Sequence, residues 1–345
     1  MPTHRLFIAS PLEAVHVERI RAVDPARLDV DYQPDLLPPT RYVADHHGAP
    51  FARNPAQQNH WNQALAQAEI LWDLPSTPDD AAHAVKLRWV QTTSSGIGPA
   101  ARRLGLLDRD VLITTARGVH AGPLAEFVFM ALLAHVRGLH HLAAEQHAHR
   151  WQRYCGRELA GQTLLIIGAG DLARGIATIG RAFGLRMIGV TRDPGRPRAH
   201  ADLFDSLHAA SDLLTLLPQA DAVVLTLPQT DETANMIGDA IFAAFKPGAA
   251  FINIGRGSVV DEAALICHLQ SGRIGFAALD VAEREPLPPD SPLWDMPNVL
   301  ISPHSASTVK TENAKITDIF CHNLRCYLDG RVADMRNVFD KRRFY

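Results

Sequence analysis

Residues 163–184, TLLIIGAGDLARGIATIGRAFG, restrict the fold of this chain more than any other stretch. The apolar run Thr163 to Ile167 reads as a buried strand that passes through Gly168-Ala169-Gly170 into a helical pattern. Gly168 permits a tight turn and Gly170 lets a ligand approach the backbone. The helix then opens with free amide N–H groups, which makes the turn a seat for a pyrophosphate. Ala173 stands where a third glycine usually lies, a tolerated replacement at the helix–sheet contact. The same letters in a simple αβ turn would bind nothing; the strand before them and the helix after them point to a dinucleotide.

Strand and helix patterns alternate along almost the whole chain. RLFIA, AEILWDL, LRWVQTT and DVLITTA read as strands in the first third, followed by TLLIIG, RMIGVT, AVVLTLP, AAFINIG, GFAALDV and NVLISP. Continuous apolar strands alternating with helices imply parallel sheets covered on both faces. At 345 residues the chain exceeds a single core. The expectation is α/β: two doubly wound parallel-sheet domains with a cleft between them. Residues 1–116 form the first part of a substrate domain, 117–306 a dinucleotide-binding domain, and 307–345 a segment returning to the substrate domain. A helical stretch, roughly Pro123 to Arg150, joins the two series, and a helix near Ser305 to Leu328 crosses back. Tyr32 to His60, rich in Pro, His and Asn, reads as a long loop; there is no low-complexity tract or short repeat.

Balanced charge, net −3, gives no reason to expect nucleic acid or an anionic membrane as partner. The start MPTHRLFIASPLEAV has only four apolar residues in succession, Leu6 to Ala9, and the longest apolar helical segment, Leu124 to Val136, contains Glu126 and His135. The reading is a cytoplasmic protein. Cys155, Cys267, Cys321 and Cys326 show no CxxC pair and read as reduced thiols. His140, His141, His147 and His149 in a helical pattern, and His46 and His47 in a polar loop, form no ligand set recognisable as zinc's, so no metal is expected.

The run AAFINIGRGSVVDEAAL, Ala249 to Leu265, ends its strand on Arg256 between two glycines. Buried strands do not normally end on a cation without a partner. His304 follows another strand in NVLISPHSAS, and Glu285 lies in the proline-rich loop after LDV, Leu279 to Val281. Alone, each is an ordinary strand-end residue. Together they fall at the ligand-gathering end of one parallel sheet. A carboxylate against an imidazole favours the imidazolium, and an arginine grips a carboxylate or carbonyl through two parallel N–H bonds. Such a set suits reduction of a 2-oxo acid, whose anion becomes the partner of Arg256. Gly255 and Gly257 are expected to keep side chains out of the way and to take backbone angles that other residues resist.

The acid that binds the NAD ribose is expected at the end of the second strand. RMIGVTRDPGRPR offers Thr191 and Arg192 there, with Arg196 and Arg198 beyond and Asp193 already in the turn before Pro194. The plain reading is a solvated basic loop; the functional one is NADP in preference to NAD, with Arg192 on the 2′-phosphate.

LLIIGAGDLA, LTLPQTDETANMI, FINIGRGSVVDEAAL, ALDVAEREPLPPDSPLW and ISPHSAS, in this order and spacing, resemble the D-isomer-specific 2-hydroxyacid dehydrogenases. That group contains glyoxylate/hydroxypyruvate reductases and phosphoglycerate dehydrogenases, and the likeness runs from about Leu87 to Leu328. It implies that Arg256 binds the substrate carboxylate and carbonyl, His304 donates the proton, Glu285 is its partner, and Asp280 faces the nicotinamide carboxamide. It also implies that TTSSGIG holds the substrate carboxylate on the amides of Ser95, Gly96 and Ile97. The cofactor would lie against Gly168, Gly170, Asp171, Leu172, Thr191, Arg192, Pro228, Thr233, Ile254, Arg256, Asp280 and His304. GVHAGPLAEFVFMALLAHVRGL is similar to the family's dimer-forming helix, which implies a homodimer through Pro123 to Arg150. Formate dehydrogenases of this fold carry glutamine in place of the glutamate, so Glu285 argues against that branch. The expected activity is NAD(P)H-dependent reduction of a small 2-oxo acid to the D-2-hydroxy acid. The rival is a dinucleotide-sensing binding protein, since the family also resembles the C-terminal binding protein corepressors; an exposed peptide groove on the first domain would favour it.

Overall fold

The structure is a computed structural model that describes residues 3–195 and 200–342. The chain divides into two compact units, Met1–Val119 with Thr308–Tyr345, and His120–Ser307.

The first unit is built on β1 (His4–Ile8), β2 (Leu28–Asp31), β3 (Ile70–Trp72), β4 (Trp89–Gln91) and β5 (Leu112–Thr114). They form a parallel sheet in the order β2-β1-β3-β4-β5. Successive side chains point to opposite faces, and both faces are covered, which is why these strands read as unbroken apolar runs. Phe7, Leu71 and Val90 pack with Trp61 and Leu65 on one face. Leu6, Ile8, Trp72 and Trp89 pack on the other with Ile316, Phe320 and Leu324 of the helix Glu312–Leu328. Residues 37–54 have no regular secondary structure. They are pinned by buried Asp45, which accepts from the amides of Arg41 and Gly48 at 3.0 and 2.9 Å and pairs with the Arg41 guanidinium at 2.8 Å. The Arg41 hydrogen bond outweighs burial and holds this carboxyl well below its ordinary range.

The second unit carries β6 (Thr163–Ile167), β7 (Arg186–Thr191), β8 (Ser206–Ala209), β9 (Ala222–Leu225), β10 (Ala249–Asn253), β11 (Ile274–Leu279) and β12 (Val299–Ile301). All pair in parallel, in the order β12-β11-β10-β9-β6-β7-β8. Strand order reverses between β6 and β9, and between β1 and β3 in the first unit; open sheets of this kind take ligands beyond the carboxyl ends at such points.

Two strands escape the apolar-run reading. β2 and β8 are edge strands with mostly half-exposed residues, so no continuous apolar run marks them. The expected single helical stretch from Pro123 to Arg150 is two helices, Ala121–Val136 and Leu139–His147, bent by 60° where Gly138 takes φ +64. Leu124, Val128, Phe129 and Leu132 of the first bury into the core. Among the described residues no single helix is long and apolar enough to cross a membrane.

Candidate active site

Asn253 is the one polar side chain in β10, and it is fully buried. Its side chain turns forward: Oδ1 accepts from the Gly255 amide at 3.0 Å and Nδ2 donates to the Arg256 carbonyl at 3.2 Å. The turn that presents Arg256 is thus clamped from within the sheet. The polar letter inside FINIG was the available signal for this role.

The glycines flanking Arg256 do not take the unusual backbone angles expected of them. Neither takes a positive φ. A Cβ on Gly255 would stand 2.7 Å from the Leu227 carbonyl oxygen, and one on Gly257 would stand 1.8 Å from that of Ala282. Close approach of the loops after β9 and β11 excludes a side chain; backbone freedom is not the reason. Arg256 itself is extended, with Nη1 donating to the Gly255 carbonyl at 2.6 Å. Burial lowers its pKa, while the charges of Glu285 and Asp280 act to raise it.

Glu285 leaves the loop after β11, where its Oε1 accepts from the Ala282 amide at 3.3 Å and Glu262 Oε2 accepts from the Glu283 amide at 3.2 Å. Glu285 Oε2 lies 2.8 Å from Nδ1 of His304. That hydrogen bond raises the imidazole above its ordinary range, against burial, with further support from the charges of Glu285 and Asp280. Burial works to raise the Glu285 carboxyl, but the His304 hydrogen bond and charge prevail and hold it low.

His304 has φ +54, in the left-handed region that non-glycine residues occupy at a cost of about 1–2 kcal/mol. Buried Asp280 holds it there. The Asp280 carbonyl accepts from the His304 amide at 2.8 Å, and its Oδ1 accepts from the Ser302 hydroxyl at 2.7 Å and the Ala306 amide at 2.9 Å. Neither Asn253 nor Ser302 emerged from the sequence as a site residue.

The turn after β6 fits a dinucleotide. Gly168 has φ +110, and a Cβ there would stand 2.5 Å from Thr226 Oγ1. A Cβ on Gly170 would meet nothing within 4 Å, so the glycine keeps open the space in front of the helix Asp171–Ala182. No side chain caps that helix at Gly170, and a helix N-terminus favours an anion. Leu172 is half-buried behind Asp171, and Ala173 is fully buried. Gly175 and Gly180 allow close packing of the helix: a Cβ on Gly175 would stand 2.7 Å from Ala121 O, and one on Gly180 2.6 Å from Met187 Sδ.

Thr191 is buried at the end of β7, and Arg192 pairs with Glu232 at 2.6 Å, both well exposed. Asp193 Oδ1 accepts from the Gly195 amide at 3.1 Å, so the carboxylate closes the turn. Arg196 and Arg198 lie outside the described residues. After β9, Thr233 Oγ1 donates to the Pro228 carbonyl at 2.8 Å and closes that loop, while Ile254 is buried in the core.

The sequence-predicted residues therefore gather in two places. Arg256, Asp280, Glu285 and His304 stand at the carboxyl ends of β10, β11 and β12, on one sheet with the turn after β6. Ser95, Gly96 and Ile97 belong to the first unit, beyond β4, where Ser94 O accepts from Thr92 Oγ1 at 2.6 Å and from the Ala116 amide at 3.1 Å. Among the described residues no group of three or more His, Cys, Asp or Glu side chains is arranged to hold a metal ion.

Residues 129–306 match the model for the NAD binding domain of D-isomer specific 2-hydroxyacid dehydrogenases. The chain is 38% identical over 279 residues to the glyoxylate/hydroxypyruvate reductase B of Citrobacter koseri, covering 78% of this chain and 84% of that one. A D-isomer specific 2-hydroxyacid dehydrogenase family protein of Aeromonas salmonicida superposes with a TM-score of 0.79 at 32% identity, over 98% of this chain and 99% of that one. The NADPH-dependent glyoxylate/hydroxypyruvate reductase of Sinorhizobium meliloti, solved with NADP and sulfate, superposes with a TM-score of 0.77 at 26% identity, over 99% and 100%.

Proposed function

The chain belongs to the D-isomer specific 2-hydroxyacid dehydrogenase family and is an oxidoreductase; on that premise we propose that it reduces a small 2-oxo acid such as glyoxylate or hydroxypyruvate to the D-2-hydroxy acid, with NADPH preferred to NADH. The observation that carries this reading is the 2.8 Å pair of His304 with Glu285, both within the electrostatic reach of Arg256. A bound nicotinamide dinucleotide supplies the hydride to carbon 2. With Nδ1 engaged by Glu285, His304 donates a proton from Nε2 to the carbonyl oxygen as charge builds there. Arg256 receives the carboxylate and carbonyl oxygens on its forked N–H groups and stabilises the developing charge. The amides of Ser95, Gly96 and Ile97 hold the substrate carboxylate.

Gly168, Gly170, Asp171 and Leu172 form the pyrophosphate seat, and Pro228, Thr233, Ile254 and Asp280 flank the rest of the dinucleotide. Arg192, with Thr191, takes the 2′-phosphate. Its present partner Glu232 is easily displaced, because an exposed ion pair contributes only about 0–1 kcal/mol. The Sinorhizobium relative's complex with NADP supports the same preference. Exposed Met130, Leu139 and Leu142, and the fully exposed Trp151, support a homodimer formed through residues 123–150.

The binding-protein reading draws on one observation, a groove of about 890 Å³ on the first unit lined by Leu37, Pro38, Pro39, Tyr42, Val43 and Phe51 among others. Assaying a panel of 2-oxo acids with NADPH and NADH separates the two. Turnover of glyoxylate or hydroxypyruvate is expected; saturable NADPH binding with no turnover of any member would leave the binding protein standing.

A further inference from the structure

The loop that brings Glu285 to His304 is thinly tethered. Residues 283–286 are exposed, and Ala282 is half-buried. Within the loop, Glu285 Oε1 accepts from the Ala282 amide at 3.3 Å. Among the described residues, one hydrogen bond ties the backbone of residues 282–286 to another element: Glu262 Oε2 accepts from the Glu283 amide at 3.2 Å. That bond sits beside the close contact at Gly257, where a Cβ would stand 1.8 Å from the Ala282 carbonyl oxygen and 2.6 Å from the Glu283 amide nitrogen. The contact keeps the loop from moving inward; the hydrogen bond opposes its lifting away.

Glu262 is the first residue of the helix Glu262–Gln270, which does not need it as a cap. Asp261 fills that role, its Oδ1 accepting from the Ala264 amide at 3.0 Å. An acid in the first turn of a helix interacts favourably with the dipole even when fully solvated. Glu262 is instead half-buried against the loop. Burial raises its carboxyl above the ordinary range against the pull of the Glu283 amide, and the charge of Glu283 adds to the rise.

We infer that Glu262 is a positioning residue for the proton donor: its carboxylate anchors the loop after β11 and thereby keeps Glu285 against Nδ1 of His304. The inference rests on the reduction proposed above, with His304 as the acid. Glu285, Asp280 and Arg256 are the charged groups that face the imidazole, and Glu283 faces Glu262. Glu262 acts on His304 through the loop, and two substitutions separate this from the effect of a nearby charge. Glu262→Asp keeps the charge but draws the carboxylate back by a methylene. Glu262→Gln loses the charge but keeps an acceptor oxygen at the same reach.

The test is the pH profile of reductive kcat/KM with hydroxypyruvate and NADPH, whose alkaline fall follows the proton donor of the free enzyme. The position of that fall does not depend on how much of a variant is folded. Glu262→Asp and Glu262→Ala should move it to lower pH by about half a unit, less than Glu285→Gln, which removes the partner outright. Glu262→Gln should leave it nearer the parent's. Adding Glu262→Ala to Glu285→Gln should move it no further, because a neutral glutamine does not raise the imidazole wherever the loop lies. An unmoved profile in Glu262→Asp and Glu262→Ala overturns the inference, as does a Glu262→Gln profile shifted as far as that of Glu262→Ala; if Glu262→Ala gives no active enzyme, Glu262→Asp against Glu262→Gln decides. If Glu285→Gln itself leaves the profile unmoved, the pairing with His304 fails and the inference with it. A parent that reduces neither hydroxypyruvate nor glyoxylate refutes the reductase reading.

Discussion

Nδ1 of His304 stands 2.8 Å from Oε2 of Glu285, across a turn that Asp280 holds in the left-handed region. The carboxylate raises the imidazole pKa, and the imidazole in turn lowers the carboxyl's. The pair is complete between those two titrations. A histidine raised from about 6.5 stays protonated further into the alkaline range, and proton donation in reduction is lost as pH rises through its pKa. In Glu285→Gln the alkaline fall of reductive kcat/KM should move to lower pH. A pH profile that overlays the parent's would remove Glu285 from its role.

Arg256 offers a planar fork that lysine cannot reproduce. Arg256→Lys should lose about 2 kcal/mol or more of transition-state stabilisation, the scale of a lost oxyanion contact, or roughly a thirtyfold fall in reductive kcat/KM. Parental kcat/KM in that variant would rule out the two-pronged contact.

Gly257 leaves no room for a Cβ, which would stand 1.8 Å from the Ala282 carbonyl oxygen. Since that atom is backbone, Gly257→Ala must push away the loop that carries Glu285. The expected cost is about 1–3 kcal/mol of stability, as for overpacking elsewhere, with a loss of activity from the displaced pair. Denaturant unfolding checks it: the midpoint should fall at an unchanged slope. A midpoint equal to the parent's would mean that the loop yields freely.

Much of this architecture was legible in the sequence because buried parallel strands are continuous apolar runs and the site residues follow them directly. Arg256, Glu285 and His304 could be placed at strand ends without any tertiary contact being known. β2 and β8 were not legible, since an edge strand with one solvated side shows no such run. The backbone angles expected of Gly255 and Gly257 were misread because a close approach by loops 28 and 25 residues away in sequence leaves no local mark. Asn253 and Ser302 act through the turns they brace, and only the folded sheet brings Ser302 to Asp280. The bend at Gly138 went unread because the helical pattern continues on both sides of it.

In the proposed reading Arg192 takes the 2′-phosphate at the end of β7, where Asp193 Oδ1 accepts from the Gly195 amide in its own turn. The kcat/KM ratio for NADPH over NADH should exceed one in the parent and fall in Arg192→Ala by about tenfold, the scale of one charge-assisted contact. A parent preferring NADH, or a ratio indifferent to the substitution, would assign the phosphate elsewhere.

In the proposed mechanism, Arg256, Glu285 and His304 serve hydride transfer to carbon 2 from one face. It is read most directly by supplying hydroxypyruvate and NADPH deuterated at the transferable nicotinamide position, then analysing the product. The expected result is glycerate carrying deuterium at carbon 2 in the D configuration, formed in step with cofactor oxidation and lost in His304→Gln. Cofactor bound but never consumed, or product of the L configuration, would contradict the assignment.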